Sequence, residues 1–208
     1  MFGCLLFTLI IILIIFVLLG YYYYTPTITP SSATKIQLQT IMNKLWIEHV
    51  MWTRLYILST LYNVGSSDIT ANRLMQNQED IGKSFGVFYG SSVGKKLTEL
   101  LKEHINIAVQ LIHALKTGDQ LANDTLSIQW KNNADQIAHF LSSVSPYISH
   151  EHMKKMFNAH LDLTTQELLA IYYRDWGGDV KVYDKIVQQS LDMSRAVTDA
   201  ICKQFNIN

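Results

Sequence analysis

Cysteine, proline and unbalanced charge are all scarce in this chain. Only two of its 208 residues are cysteine and three are proline, and 17 Lys plus Arg offset 17 Asp plus Glu. The charge balance, with no basic run, leaves no electrostatic footprint for nucleic acid, so no nucleic-acid partner is expected. Cys4 lies in an apolar N-terminal run and Cys202 near the C-terminus. Neither belongs to a CxxC pair, which argues against thiol redox chemistry, and Cys202 reads as a small buried hydrophobe. HExxH, GxxxxGK[ST] and GxSxG are also missing, so no motif assigns a reaction.

Charge is absent altogether before Lys35. Leu5 to Leu19 is almost pure Leu, Ile, Phe and Val, and Tyr21 to Tyr24 follow it. As a helix, residues 1–24 would measure about 36 Å, enough to cross a hydrocarbon core of about 30 Å, with the tyrosines as an interfacial belt. The absence of a basic n-region and of a small-residue cleavage site favours an anchor over a cleaved signal peptide. The expectation is a single-pass membrane protein, in contact with the lipid bilayer through residues 1–24. Its orientation is open: Lys35 and Lys44 are weak positive-inside signals, and Asn123-Asp124-Thr125 is a glycosylation sequon only in a secretory lumen. Residues 25–34, with Pro26 and Pro30, form a Pro/Ser/Thr spacer that interrupts any helix.

From Lys35 onward apolar residues recur at helical spacing, without strand-like alternation. The breaks are Gly65-Ser66-Ser67, Tyr89-Gly90-Ser91-Ser92, Gly118-Asp119, Ser145-Pro146 and Gly177-Gly178. They predict helices at about 35–63, 69–86, 92–117, 121–143, 149–163 and 165–204, with Ser67 or Asp68 capping the second. Thr164 and Glu167 read as a capping box that breaks the chain near 164, a continuous helix being the alternative. The fold class is all-α: an N-terminal transmembrane helix and an up-and-down bundle of about six helices over residues 35–208.

The bundle carries an internal repeat. Leu45-Trp46-Ile47-Glu48-His49-Val50 matches Leu100-Leu101-Lys102-Glu103-His104-Ile105 at an offset of 55 residues, and Asn77, Asp80 and Phe85 match Asn132, Asp135 and Phe140 at the same offset. Met156 to Leu161 is a weaker third copy, 56 residues beyond the second. Repeated helical hairpins are the simplest source. His49 and Asp80 stand equally far from the first turn, and His104 and Asp135 equally far from the next, which puts one His level with one Asp in each hairpin. His49, His104 and His160 each fall in an apolar stripe and therefore face inward.

Two readings follow. In one, inward His and carboxylates form a metal centre, as helical bundles build them, with His49, Asp80, His104, Asp135, His160, Glu167 and Asp179 as candidate ligands for Zn, Fe or Mn. In the other, His–Asp pairs only satisfy buried polar groups, and the domain is a structural or interaction module at a membrane. No cofactor-binding residue other than these metal ligands is predicted, and catalytic residues are unassigned.

A set of motifs carries a resemblance. Glu48-His49-x-x-Trp52-Thr53-Arg54, Asn77-Gln78-x-Asp80-Ile81-Gly82, Phe88-Tyr89-Gly90, Leu97-Thr98-x-Leu100-Leu101-x-Glu103-His104-Ile105, Asn133-Ala134-Asp135-x-Ile137-Ala138-x-Phe140-Leu141, His160-Leu161-x-Leu163-Thr164 and Gln204-Phe205 resemble a family of small, uncharacterised helical proteins of bacteria and large DNA viruses. The resemblance spans roughly residues 40–206. It implies the helical fold and, by analogy, a viral membrane setting, and it transfers no activity. Val87 and Gly177-Gly178 depart from the family pattern, where a proline and helix formers are expected.

Overall fold

The computed structural model describes residues 34–208, which form six helices: α1 (Lys35–Leu61), α2 (Ser67–Tyr89), α3 (Ser91–Thr117), α4 (Gln120–Val144), α5 (His150–Tyr172) and α6 (Trp176–Phe205). Local chemistry sets most ends. Thr34 caps α1 in a capping box, its hydroxyl accepting from Gln37 N while Gln37 Oε1 accepts from Thr34 N. Asp119, Ser149 and Asp175 cap α4, α5 and α6 through their side chains. Gly118, at φ +74°, closes α3 in the left-handed conformation that favours glycine. The α2 cap is Ser66, without a side-chain cap bond, so Ser67 and Asp68 lie inside the first turn instead.

The predicted break at Thr164 does not occur. α5 runs on to Tyr172, the Thr164 hydroxyl donates to His160 O, and Glu167 turns inward to Arg54 instead of back to a cap. The chain turns at Tyr173–Asp175, where Arg174 takes φ +60°, and Gly177-Gly178 belong to the first turn of α6.

Short connections make consecutive helices antiparallel neighbours. α6 returns to pack on α1 and closes the ring, while α1 also touches α3 and α5. Lys35 N donates to Asn208 O, joining the two ends of the bundle. Met42, Phe85, Leu97, Ile137, Leu161 and Ile201 are almost wholly buried in its core. Each such side chain contributes about 1.5–3 kcal/mol relative to exposure.

Among the described residues no helix is long and apolar enough to cross a membrane. Each helix buries an apolar stripe and carries charged and polar side chains elsewhere, with some large apolar residues, Ile36, Ile69 and Leu121 among them, left exposed. This corrects the expected fold class and location: the described chain is a six-helix bundle, without the single-pass anchor. The apolar run at residues 1–24 and the spacer up to residue 33 lie outside the described residues.

α2 and α3 approach closely at Gly82, Gly86 and Gly94. A Cβ added at Gly94 would lie 2.9 Å from Gly86 Cα, and one at Gly82 would lie 2.6 Å from Gly94 O. Backbone on both sides leaves little room to relax. Gly94→Ala is therefore expected to destabilise the fold by about 2 kcal/mol in urea unfolding, an overpacking cost that exceeds alanine's helix propensity gain. Gly65→Ala, with nothing within 4 Å, is the control and should change stability little. Equal midpoints for the two variants would contradict this packing.

Candidate functional site

The bundle is three hairpins, α1/α2, α3/α4 and α5/α6, and each repeats one polar contact. The first helix contributes a histidine and the second an amide 29 residues later: His49 with Gln78 at 3.1 Å, His104 with Asn133 at 2.8 Å, and His160 with Gln189 at 3.0 Å. In the second and third hairpins the amide bridges. Its oxygen accepts from the imidazole Nδ1–H, and its nitrogen donates to a backbone carbonyl one turn before the histidine, Leu100 O at 3.2 Å or Met156 O at 2.9 Å. In the first hairpin two residues divide the work: Asn77 Nδ2 donates to Leu45 O, and Gln78 meets the imidazole.

These contacts set two of the three tautomers. His104 and His160 carry their proton on Nδ1, which leaves Nε2 as an acceptor. Gln78 Nε2 lies 2.9 Å from Leu74 O and 3.1 Å from Asn77 Oδ1, so the nitrogen must occupy that corner. His49 Nδ1 lies 3.1 Å from the same nitrogen, whose two hydrogens face three acceptors, so this contact does not fix the His49 tautomer.

The three imidazoles converge. The His49 and His160 ring centroids are 5.7 Å apart, and His104 packs against Trp130 at 5.3 Å. All three border a chamber of about 50 Å³, with Gln78, Phe157 and Met193 among its other walls. All three also border a cavity of about 20 Å³ on the Trp130 side. That cavity shares Thr53, Ala108, Ile112, Trp130 and Thr164 with an open cleft of about 390 Å³ between α1, α3, α4 and α5.

Burial keeps the imidazoles neutral. It pushes His49 down to about 3, helped by His160 and His104 beside it. It pushes His104 down to about 4 despite the opposing Asn133 hydrogen bond, and it lowers His160 against the pull of Gln189.

The predicted aspartate partners lie elsewhere. Asp80 is 3.3 Å from Gln76 Nε2 and 3.8 Å from Lys83 Nζ, and Asp135 pairs with His150 at 2.8 Å and Lys154 at 3.2 Å. The reason is azimuth. Asp80 and Asp135 follow Gln78 and Asn133 by two residues, about 200° around the helix, so they point away from the histidines they match in height. Glu167 and Asp179 do come together, but on Arg54. Its guanidinium pairs with both Asp179 oxygens and lies 2.7 Å from Glu167 Oε1, while the Tyr183 ring stacks 4.8 Å from it. One cation faces two buried carboxyls there. Burial, with the Asp179 charge, pushes Glu167 up to about 7 against the opposing pull of Arg54.

Of the seven candidate ligands, then, three histidines share a chamber, two carboxyls share an arginine, and two aspartates lie outward. Among the described residues no group of three or more His, Cys, Asp or Glu is placed to hold a metal ion. No family model, curated protein or solved structure matches the chain. The site is therefore interpreted from its own geometry. The sequence reading missed the roles of Gln78, Asn133, Gln189 and Arg54. The signal for the amides is the constant 29-residue step from each histidine, which also makes the third repeat a true copy.

Neutral buried histidines give a pH signature. Their folded values lie below the ordinary 6.5, so the unfolded chain binds more protons between about pH 4 and 6.5. Their stabilising contribution is complete above pH 6.5 and is lost as pH falls toward 4 and then 3. Glu167 acts with the opposite sign, since its raised value favours the fold below pH 4.5 and that benefit fades as pH rises through 7. With His49 and His104 against one glutamate, stability should fall by about 1.5 kcal/mol per pH unit near pH 5, and the lowered His160 steepens the fall. Urea denaturation across pH 4.5–7.5 measures it; a flat profile between 4.5 and 6.5 would rule out neutral buried imidazoles.

Proposed function

We infer that the bundle is a binding protein for a small, uncharged, largely apolar molecule taken into the cleft between α1, α3, α4 and α5. The carrying observation is Trp130. Its ring is 92 % buried, it lines both the cleft and the cavity behind it, and its indole N–H has no acceptor in the protein. A buried donor without a partner costs about 1–3 kcal/mol, and a ligand acceptor would recover that once a small shift of the ring opens the N–H to the cleft. The walls suit an apolar body: Ile57, Ala108, Leu111, Leu115, Leu168 and Tyr172 line the cleft. Its sole charged lining residue is Asp119, whose carboxylate caps α4 through Ala122 N. A mostly apolar cleft with a few placed polar groups is the usual form of a small-molecule site.

A transition metal is the second reading, favoured by one observation. His104 and His160 give Nδ1–H to amide oxygens and leave Nε2 unprotonated, as ligating histidines are commonly held by a second partner. Zn, Fe or Mn would accept such donors. Charge weighs against it: neither histidine-lined cavity has a carboxylate, so a divalent ion would be buried without compensation. The neutral ligand is preferred for that reason. In either reading the histidine–amide contacts also hold the hairpins in register, the structural role first assigned to His–Asp pairs.

Saturation-transfer NMR on the full chain, with neutral molecules of about ten heavy atoms that bear an acceptor, tests the inference. Several should bind, and Trp130→Phe, which keeps the ring and deletes the donor, should weaken them about tenfold, the worth of one hydrogen bond. Equal affinity in the variant, or no neutral binder at all, would refute it.

A further inference from the structure

The beginning of α6 is attached to the bundle differently from the rest of that helix. From Ile186 onward an apolar stripe packs inward, and Ile186, Met193, Val197 and Ile201 are almost wholly buried. Before Ile186 the stripe stops. Of residues 172–185 only Asp179 is buried, while Tyr173, Trp176 and Val180 leave half or more of their surface to solvent. Asp179, Ile186, Met193 and Ala200 follow one another at seven-residue steps. Asp179 therefore stands on the inward face, where an apolar residue would continue the seam.

What holds this stretch is polar. Among the described residues, every hydrogen bond from residues 176–185 to another helix ends on Arg54 of α1. Its guanidinium takes both Asp179 oxygens, Oδ2 at 2.6 Å, and the Tyr183 ring lies 4.8 Å from it. The contact of Trp176 with Tyr62, at 5.7 Å between ring centroids, leaves Trp176 50 % exposed. Local propensity adds little, because Gly177-Gly178 occupy the first turn and glycine is a poor helix former. An ion cluster also releases differently from an apolar seam. One cation and two carboxyls are withheld from water here, and opening restores hydration to Arg54, Glu167 and Asp179 together. A stretch with so few buried apolar contacts opens at a lower free energy than the whole fold.

We propose that residues 176–185 form a strap that opens as one unit while the rest of the bundle stays folded, and that the grip of Arg54 on Asp179 is its latch. Its boundaries are the turn at Arg174, with a positive φ, and the start of the apolar seam at Ile186. Opening bares the Arg54 guanidinium and the buried Glu167 carboxyl to solvent. The strap needs no ligand in the cleft to open.

Native-state hydrogen exchange on the full chain at pH 7.5, corrected for intrinsic rates, tests it. Amides of residues 180–185 should share one protection factor, at least a hundredfold below that of the slowest amides in 190–202, which open with the whole fold. Gly94→Ala weakens packing between α2 and α3 that survives strap opening, so it should speed the second set tenfold or more and leave the first unchanged. Asp179→Ala acts on the closed strap alone, so it should speed both sets by the same factor, tenfold or more. Alanine is the better helix former, so propensity would work against that loss. Equal protection of the two sets in the wild type, or equal acceleration of both by Gly94→Ala, would overturn the strap. A protection gradient that falls steadily toward Trp176 and does not respond to Asp179→Ala would mark ordinary end fraying and overturn the latch.

Discussion

The contact on which the rest depends is the imidazole–amide clasp that each hairpin makes between its two helices. In the second and third hairpins it fixes the height of one helix against the other, because the amide nitrogen reaches a carbonyl one turn from the histidine while its oxygen holds the ring; in the first, Asn77 reaches the carbonyl and Gln78 the ring. It also fixes which ring nitrogen of His104 and His160 carries the proton. Repeated three times in a closed ring of six helices, it delivers three oriented imidazoles to one place in the interior. A neutral–neutral hydrogen bond of this kind contributes only about 1 kcal/mol net, and an unsatisfied buried partner costs more than that, so the clasp matters more for specifying one register than for adding stability.

Two polar clusters solve the problem of burial differently. The histidines stay uncharged and use amides, so the chamber carries no ion. Arg54, Glu167 and Asp179 bury charge, and their imbalance of one cation against two carboxyls is relieved by raising Glu167 toward neutrality. Breaking such a cluster from one side leaves an uncompensated charge, typically a cost of about 3–5 kcal/mol. Separating the two keeps the histidine-lined cavities free of charged side chains, which is why a neutral ligand suits them better than a metal ion.

Much of this fold is legible in the amino-acid order. Helical periodicity and glycine or proline breaks give six helices and nearly all of their ends, and the 55-residue offset gives the hairpin repeat and its three inward histidines. The partners were misread because height above a turn was weighed without azimuth: Asp80 and Asp135 share the level of their histidines but lie across the helix from Gln78 and Asn133. Amides also carry no titratable signal, so Gln78, Asn133 and Gln189 look like ordinary helix residues until their common spacing is noticed. Thr164 and Glu167 imitate a capping box because Glu167 serves Arg54 instead, an association 113 residues away in sequence that local patterns do not encode. The cleft was invisible for the same reason, since four helices contribute its walls. The apolar run at residues 1–24 suggested an anchored architecture that the described helices do not have.

The clasp is most directly tested by the ring-nitrogen tautomers of the unliganded chain, read from long-range ¹H–¹⁵N correlation spectra near pH 7. His104 and His160 should both appear neutral, with a protonated Nδ1 and a bare Nε2, and His49 neutral. Imidazolium signals, or a protonated Nε2 on His104 and His160, would contradict the account.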